Sequence, residues 1–463
     1  MARLSGFPEL LPADRAVEVA VVDALRRVFE LHGFANVETR AVEPVETLLR
    51  KGEIDKEVYV VRRIHDDGTG GSSADALALH FDLTVPFARY VVENAGHLAF
   101  PFRRYQVQKV WRGERPQQGR FREFTQADID IVGDGALPFH ADVEVARVMA
   151  EALAAVAGVL GFAGAGDGED GPLFTLQVSN RKVLEGFYRG LGVAEPTAVM
   201  QVVDKLDKLP AERILELLAG TGLDDASARA CLALAEISTD DTSFVEQVRS
   251  LCREAGDVQH PLLDEGLDEL AAVVAACADV EGVRVTADLR IARGLDYYTG
   301  TVFETRMRGQ EQLGSVCSGG RYDELASDGR RTYPGVGISL GLSRLLVPLV
   351  ADGLTSTRAV PSAVLVAVAD EESRAESDAL AQRLRRRGIP TEVAPAAQKF
   401  GKQIRTAERR GIPFVLFPGE PPSVKDIRSG DQVDVDPDTW TPPTADLTPT
   451  VVGLAPTAKE TAP

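Results

Sequence analysis

Arg112, Glu114, Arg115, Arg120 and Arg122 crowd into one short loop of the segment FRRYQVQKVWRGERPQQGRFREFTQADIDIVG, which begins at Phe102. Guanidinium groups never deprotonate and donate in a planar fork that fits phosphate oxygens, so this density of arginine suits a polyphosphate. A solvated, salt-bridged turn is the plain alternative. The runs on either side, Tyr105–Trp111 and Phe124–Val132, alternate apolar and polar residues. Period two with turn residues between predicts a long antiparallel hairpin that presents the arginines at its tip.

Three later segments carry a compatible chemistry. They are Arg293-Gly-Leu-Asp-Tyr-Tyr-Thr-Gly300, Gly319-Gly-Arg-Tyr-Asp323, and Gly335-Val-Gly-Ile-Ser-Leu-Gly-Leu-Ser-Arg344. With the hairpin they resemble, in order, motif 2, the two histidine signatures and motif 3 of the histidyl-tRNA synthetase family, within the class II aminoacyl-tRNA synthetases. RGLDYYTG is the most specific of these; the hairpin alone would indicate only the class.

The resemblance implies formation of histidyl-adenylate and pyrophosphate from L-histidine and ATP, then transfer of histidine to the 3′ end of histidine tRNA. Two anions must meet at the α-phosphorus, so fixed cations are required there. Arg112 and Arg293 match the two arginines that serve this step, Arg293 also lying at the histidine site. Arg344 is expected at the γ-phosphate and Arg120 near the β/γ end. Glu114 and Phe124 match positions that hydrogen-bond and stack adenine. A Mg²⁺ bridging phosphates is expected to be held by ATP and water, with no protein metal cage. For histidine, Asp130 and Tyr298 match the imidazole-reading positions. Asp82, Thr84 and Gln126 match those that bind the α-amino and carboxylate groups, with Tyr297 and Tyr322 as walls. Many bacterial members carry Glu where Asp82 and Asp130 stand. In the transfer step no side-chain base is evident, so an adenylate phosphate oxygen is the expected proton acceptor.

The elements that must position these residues are legible as periodicities. Residues 13–32 have helical apolar spacing ended by Gly33, and Phe34–Val42 reads as a strand running into Pro44. Together they resemble motif 1, which implies a homodimer. Asp75–Phe81 reads as a strand, followed by a helix through Val92, and Ala141–Leu160 as a helix. Gly161–Pro172 reads as a flexible acidic linker. Residues 173–290 read as a mostly helical insertion domain, with helices at Ala211–Leu218, Asp225–Ile237 and Leu262–Ala278. The segments at Asn180–Lys182 and Asp204–Leu209 resemble that domain in histidyl enzymes. Beyond Val350, strands at Ala363–Val368, Pro390–Val393 and Pro413–Phe417 alternate with helices at Glu371–Arg387 and Phe400–Arg410. That alternation predicts a small α/β domain with a largely parallel sheet, similar to the family's anticodon-binding domain. The fold class is therefore α/β (α+β). An antiparallel catalytic sheet with flanking helices is formed by residues 1–172 and 291–352, interrupted by the insertion. A C-terminal anticodon-binding domain spans 361–440. Residues 441–463, rich in Thr, Pro and Ala, read as disordered.

At 463 residues the chain exceeds one ordinary core. The N-terminus has no signal-peptide pattern and no apolar run is long enough for a membrane span. Four scattered cysteines without a C-x-x-C pair argue against a zinc site or disulfide framework and fit a reducing cytoplasm. Net charge is −19, yet between Arg383 and Arg410 nine bases face only Glu392 and Glu408. Lys402, Arg405 and Arg409, at helical spacing, are the expected tRNA contacts. The competing reading is a synthetase-like regulatory subunit of ATP phosphoribosyltransferase. Such paralogues are expected to lack the C-terminal domain and the phosphate-binding arginines that are present here.

Overall fold

The alternating runs form a hairpin of Phe102–Trp111 and Glu123–Val132, paired antiparallel along its whole length. Its register sets Arg104 opposite Asp130, Gln106 opposite Asp128 and Gln108 opposite Gln126. Because side chains alternate faces, these six polar residues share one side of the sheet. The other side is apolar at Ala127, Ile129 and Ile131, all fully or almost fully buried.

The computed structural model describes residues 4–49, 57–65, 76–162, 171–207, 209–292 and 297–453. The chain divides into two units, residues 1–8 with 22–348, and residues 9–21 with 349–463. In the first unit the hairpin sits within a nine-stranded sheet. On one side, Phe102–Trp111 pairs parallel with the short strand Ala35–Asn36. On the other, Glu123–Val132 pairs antiparallel with Gly335–Gly341, and antiparallel pairing continues through Cys317–Tyr322, Thr301–Met307 and Phe174–Asn180. Val283–Asp288 then adds in parallel and Ser238–Thr239 closes the edge. The helix His140–Val159 packs against this sheet through Val145, Met149 and Val156, which are fully buried. The expected insertion boundaries at 173 and 290 move inward. Phe174–Asn180 and Val283–Asp288 belong to the catalytic sheet, so the helical excursion runs from Arg181 to Ala276. Strand periodicity next to long helices was too short a signal to separate the two.

The first expected strand, Phe34–Val42, is broken into Ala35–Asn36 and Val42–Pro44, which lie in different sheets. Val42–Pro44 pairs with Leu77–Leu79, which also takes the two-residue strand Val60–Val61. Most of the expected acidic linker, 163–170, lies outside the described residues.

In the second unit Thr391–Val393, Val364–Val366 and Phe414–Phe417 pair in parallel, and Ser423–Asp426 and Gln432–Asp434 extend them antiparallel. The sheet is therefore mixed, with its parallel part where strand–helix alternation predicts it. The expected disordered tail is corrected through residue 453. Thr444–Asp446 forms a 3₁₀ turn, and Val451–Val452 pairs with Thr355–Ser356. Trp440 and Leu447 pack on the core of Leu380, Leu384 and Leu416. Leu447 within this stretch, with Trp440 just before it, anchors it to the core despite its Thr/Pro bias.

Candidate active site

Two neighbouring recesses open on the polar face of the sheet. The larger, about 200 Å³, is bounded by the hairpin loop and the start of the helix Leu342–Ala351. It brings together Arg112, Glu114, Arg120, Phe124 and Arg344, the residues expected to hold ATP, with Gln126 at its inner end. The Arg112 guanidinium lies over the Phe124 ring, 5.1 Å from its centroid, and Nε donates to Phe81 O at 3.0 Å. Arg344 Nη2 donates to Leu313 O. The side chain of Arg120 is half exposed and pairs with Glu114 at 3.2 Å. In this state Glu114 thus faces Arg120.

The smaller recess is lined by Thr84, Asp128, Asp130, Tyr298 and Tyr322, and shares Ser318 and Ser339 with the larger one. The two recesses therefore adjoin at Ser318 and Ser339. Its floor needs glycine at two strand positions. A β-carbon on Gly337 would lie 2.0 Å from Asp130 Oδ1, and one on Gly320 would lie 2.9 Å from the Tyr298 ring. Absence of a side chain there lets an acid and an aromatic ring lie flat against the backbone.

Charge in the smaller recess is set by register. Arg104, wholly buried, pairs through Nη2 with Asp130 Oδ2 at 2.6 Å and stands 3.9 Å from Asp128 Oδ2. Its Nη1 donates to Gln106 Oε1 at 3.1 Å, and the guanidinium stacks on Phe87 at 4.2 Å. Tyr322 donates to Asp130 Oδ1 at 2.7 Å. Burial pushes the Asp130 carboxyl up, against the opposing pull of Arg104. Burial likewise pushes Asp128 up to about 7, with Arg104 again opposing. The Tyr298 and Tyr322 phenols rise well above their ordinary range through burial and stay neutral.

Asp82, buried, accepts from Val85 N at 3.1 Å and so caps the helix Thr84–Asn94, which carries Thr84 to the recess wall. Gln126 Nε2 donates to Ser339 Oγ at 2.8 Å, while its buried carbonyl oxygen has no partner among the described residues. The Tyr297 ring lies against that of Tyr298, centroids 4.2 Å apart and planes tilted by 50°. Arg293 lies outside the described residues. Lys402, Arg405 and Arg409 belong to the second unit, exposed along one face of the helix Phe400–Arg409.

Sequence reasoning missed Arg104, Asp128, Ser318 and Ser339. For Asp128 the signal was present: Gln126, Asp128 and Asp130 are two residues apart on one strand and must share a face.

A mostly antiparallel sheet with an arginine-rich hairpin and two recesses side by side, one arginine-lined and one acid-lined, has the architecture of the catalytic core of a class II aminoacyl-tRNA synthetase. The family described as histidyl-tRNA synthetase matches residues 6–345, and the one described as anticodon binding domain matches residues 362–439. The chain belongs to the histidyl-tRNA synthetase family. It is 59% identical to a histidine–tRNA ligase of Cutibacterium acnes, covering 98% of this chain and 100% of the relative. A second such ligase, from Micrococcus luteus, is 56% identical over 97% of this chain and 98% of its own. The crystal structure of histidyl-tRNA synthetase from Nostoc sp. PCC 7120 superposes with a TM-score of 0.80 at 32% identity, covering 94% of this chain and 97% of that one. An ATP phosphoribosyltransferase regulatory subunit/histidyl-tRNA synthetase from Bacillus halodurans C has a TM-score of 0.67 at 20% identity, a likeness of fold alone.

Proposed function

We propose that this chain is a histidine–tRNA ligase that joins L-histidine to ATP, releasing pyrophosphate, and then passes the histidyl group to the 3′ end of histidine tRNA. The observation that carries this reading is the pair of adjoining recesses, arginine-lined and acid-lined, joined at Ser318 and Ser339.

In the first step the α-carboxylate of histidine attacks the α-phosphorus and pyrophosphate leaves on the opposite side. Arg112 neutralises charge that builds on the α-phosphate, with Arg293 as the second cation on the motif match. Phe124 stacks the adenine, Glu114 hydrogen-bonds it once released from Arg120, and Arg120 and Arg344 bind the β/γ end. Thr84, Asp82 and the open carbonyl of Gln126 hold the α-ammonium and orient the carboxylate. Among the described residues no three His, Cys, Asp or Glu side chains come together to hold a metal ion. The cleft's described lining has Arg112, Arg120 and Arg344 with Glu114 as its one carboxylate, a donor set that fits a Mg²⁺ carried by ATP phosphates and water, which would neutralise the leaving pyrophosphate. In the second step the terminal ribose hydroxyl attacks the adenylate carbonyl, the bond from that carbonyl carbon to the phosphate oxygen breaks, and AMP leaves carrying the hydroxyl proton on a phosphate oxygen; among the described residues the protic side chains shared by both recesses are Ser318 and Ser339, and neither is basic.

The protein works in the cytoplasm as a homodimer. No helix among the described residues is long and apolar enough to cross a membrane. Val60, Val61 and Leu77 leave apolar surface exposed on the small three-stranded sheet, material for a subunit contact. ATP–pyrophosphate exchange with each of the twenty amino acids tests the activity. Exchange with histidine alone, lost in Arg293→Ala, is the expected result. Histidine binding without any exchange would favour the regulatory-subunit reading.

A further inference from the structure

Asn180-Arg181-Lys182 stands where the catalytic sheet passes into the helical excursion, and among the described residues it lines neither recess. Each of its three residues is nonetheless engaged. Asn180, wholly buried, caps the helix Arg181–Gly190 by accepting from Lys182 N at 2.9 Å, and donates to Glu269 Oε2 at 2.8 Å. Lys182 pairs with Glu265 at 2.7 Å and with Glu269 at 2.5 Å. Both acids stand on the helix Pro261–Ala276, so the first and last helices of the excursion are tied together. Glycines bring the two into backbone contact. A β-carbon on Gly186 would lie 2.3 Å from Leu263 N, and one on Gly266 would lie 2.5 Å from Val183 N. Helices seated that closely have little slack against each other.

Arg181 reaches the other way, into the histidine-signature segment. Its backbone N–H donates to Gly300 O at 2.9 Å, and its Nη1 donates to Tyr298 O. From the strand Cys317–Tyr322, Arg321 O accepts from Thr299 N at 2.9 Å. Three successive residues of the segment are thus pinned through their main chain. The Tyr298 ring that follows from this backbone walls the acid-lined recess, where it lies over Gly320. Few rotamers are open to a buried ring, so where the backbone is held decides where the phenol stands.

We infer that Arg181 is a positioning residue for histidine. Without lining the recess, its guanidinium fixes the main chain at Tyr298 so that the phenol meets the imidazole, and the tied helix pair is the anchor of that wall. This rests on the reading of the acid-lined recess as the histidine site. Arginine suits the task because its charge is permanent and a charged donor holds a carbonyl more firmly than a neutral one.

The test is pyrophosphate exchange by the full chain carrying Arg181→Met, which keeps the stem and removes the donor, or Arg181→Lys, which keeps a charged donor. Arg181→Met should raise the KM for histidine about tenfold and leave the KM for ATP within about twofold, with Arg181→Lys between it and the parent. The effect should run through the phenol. In a Tyr298→Phe background, Arg181→Met should therefore change the histidine KM by about twofold at most. Equal fold-changes in the two backgrounds, or a joint rise of both KM values, would make Arg181 a structural contact only and overturn the inference. Hydrogen exchange of the parent needs no variant to fold. The amides of Arg181 and Thr299 should be protected about 100-fold or more without ligand, and exchange at the rate of an open chain would overturn the inference as well. Protected amides in a parent that shows no histidine-dependent exchange would instead overturn the proposed function beneath it.

Discussion

Gly337 shows how little room the acid-lined recess leaves for change. Replacing it by alanine drives a methyl group against Asp130 Oδ1, within 2.0 Å, and the acid cannot yield without breaking its contacts to Arg104 and Tyr322. A displacement of about 1 Å at a binding group typically costs about 100-fold in rate. Gly337→Ala should therefore lower kcat/KM for histidine in pyrophosphate exchange about 100-fold, with the KM for ATP little changed. Asp128 makes a second prediction, on stability. Its folded pKa, about 7, lies above its ordinary 3.8, so between those values the folded state holds a proton that the unfolded chain has lost. Stability from this group is therefore greatest at the acid end and declines as pH rises through 7. Compared with Asp128→Asn, which cannot titrate, the parent should gain in denaturant midpoint as pH falls from 8.5 to 5.5. An equal midpoint difference at both ends would contradict the raised pKa.

Among elements, the contact that ties the sheet to its main helix is Arg321. From the strand Cys317–Tyr322 it reaches Asp142 on the helix His140–Val159 at 2.6 Å and Leu137 O at 2.5 Å. Asp142 has no solvent exposure, and burial raises its pKa against the pull of Arg321. Arg321→Met strands that carboxylate, and loss of one partner of a buried pair costs about 3–5 kcal/mol. The expected result is a destabilised protein in urea melts, with double replacement of Arg321 and Asp142 by apolar residues recovering part of the loss. The hairpin and its helices were legible in sequence because ten-residue periodicities leave little choice. Partnership was not. Nothing local says that Arg104 and Asp130 meet, since they are separated by the whole loop and matched only by the register of the pairing. Nor could Val60–Val61 be read as a strand, because two residues carry no period; it is a strand only because Leu77–Leu79 offers an edge. The site followed the same division. The arginines announced a phosphate cleft by type alone, whereas Asp128 sat unremarked between two residues the family motif already named.

For the molecule as a whole, the question is how a chain of net charge −19 takes an RNA partner. Counted by sequence, the bases from Arg383 to Arg410 looked like one patch. Several are spent inside their own unit: Arg383 on Asp438, Arg410 on Glu392, and Arg387 on the carbonyls of Pro437, Thr439 and Trp440. Lys402, Arg405 and Arg409 make no ion pair among the described residues and stay exposed on one helix face. On the proposed function, theirs is the field that RNA phosphates would use, and against an acidic background it would also orient the encounter. Beside them Phe400 is 40% exposed, its ring edge-on to Phe417 at 5.0 Å. Replacing the three cations by alanine should leave histidine-dependent pyrophosphate exchange intact, because the reaction they would impair is the one that needs tRNA. Affinity for histidine tRNA should fall, and the slope of log Kd against log salt should flatten by about 2, as three phosphate contacts release fewer counterions. If the affinity fell with the slope unchanged, the helix would be acting through the fold of its unit instead of through its charge, and the RNA path would have to be sought on another face.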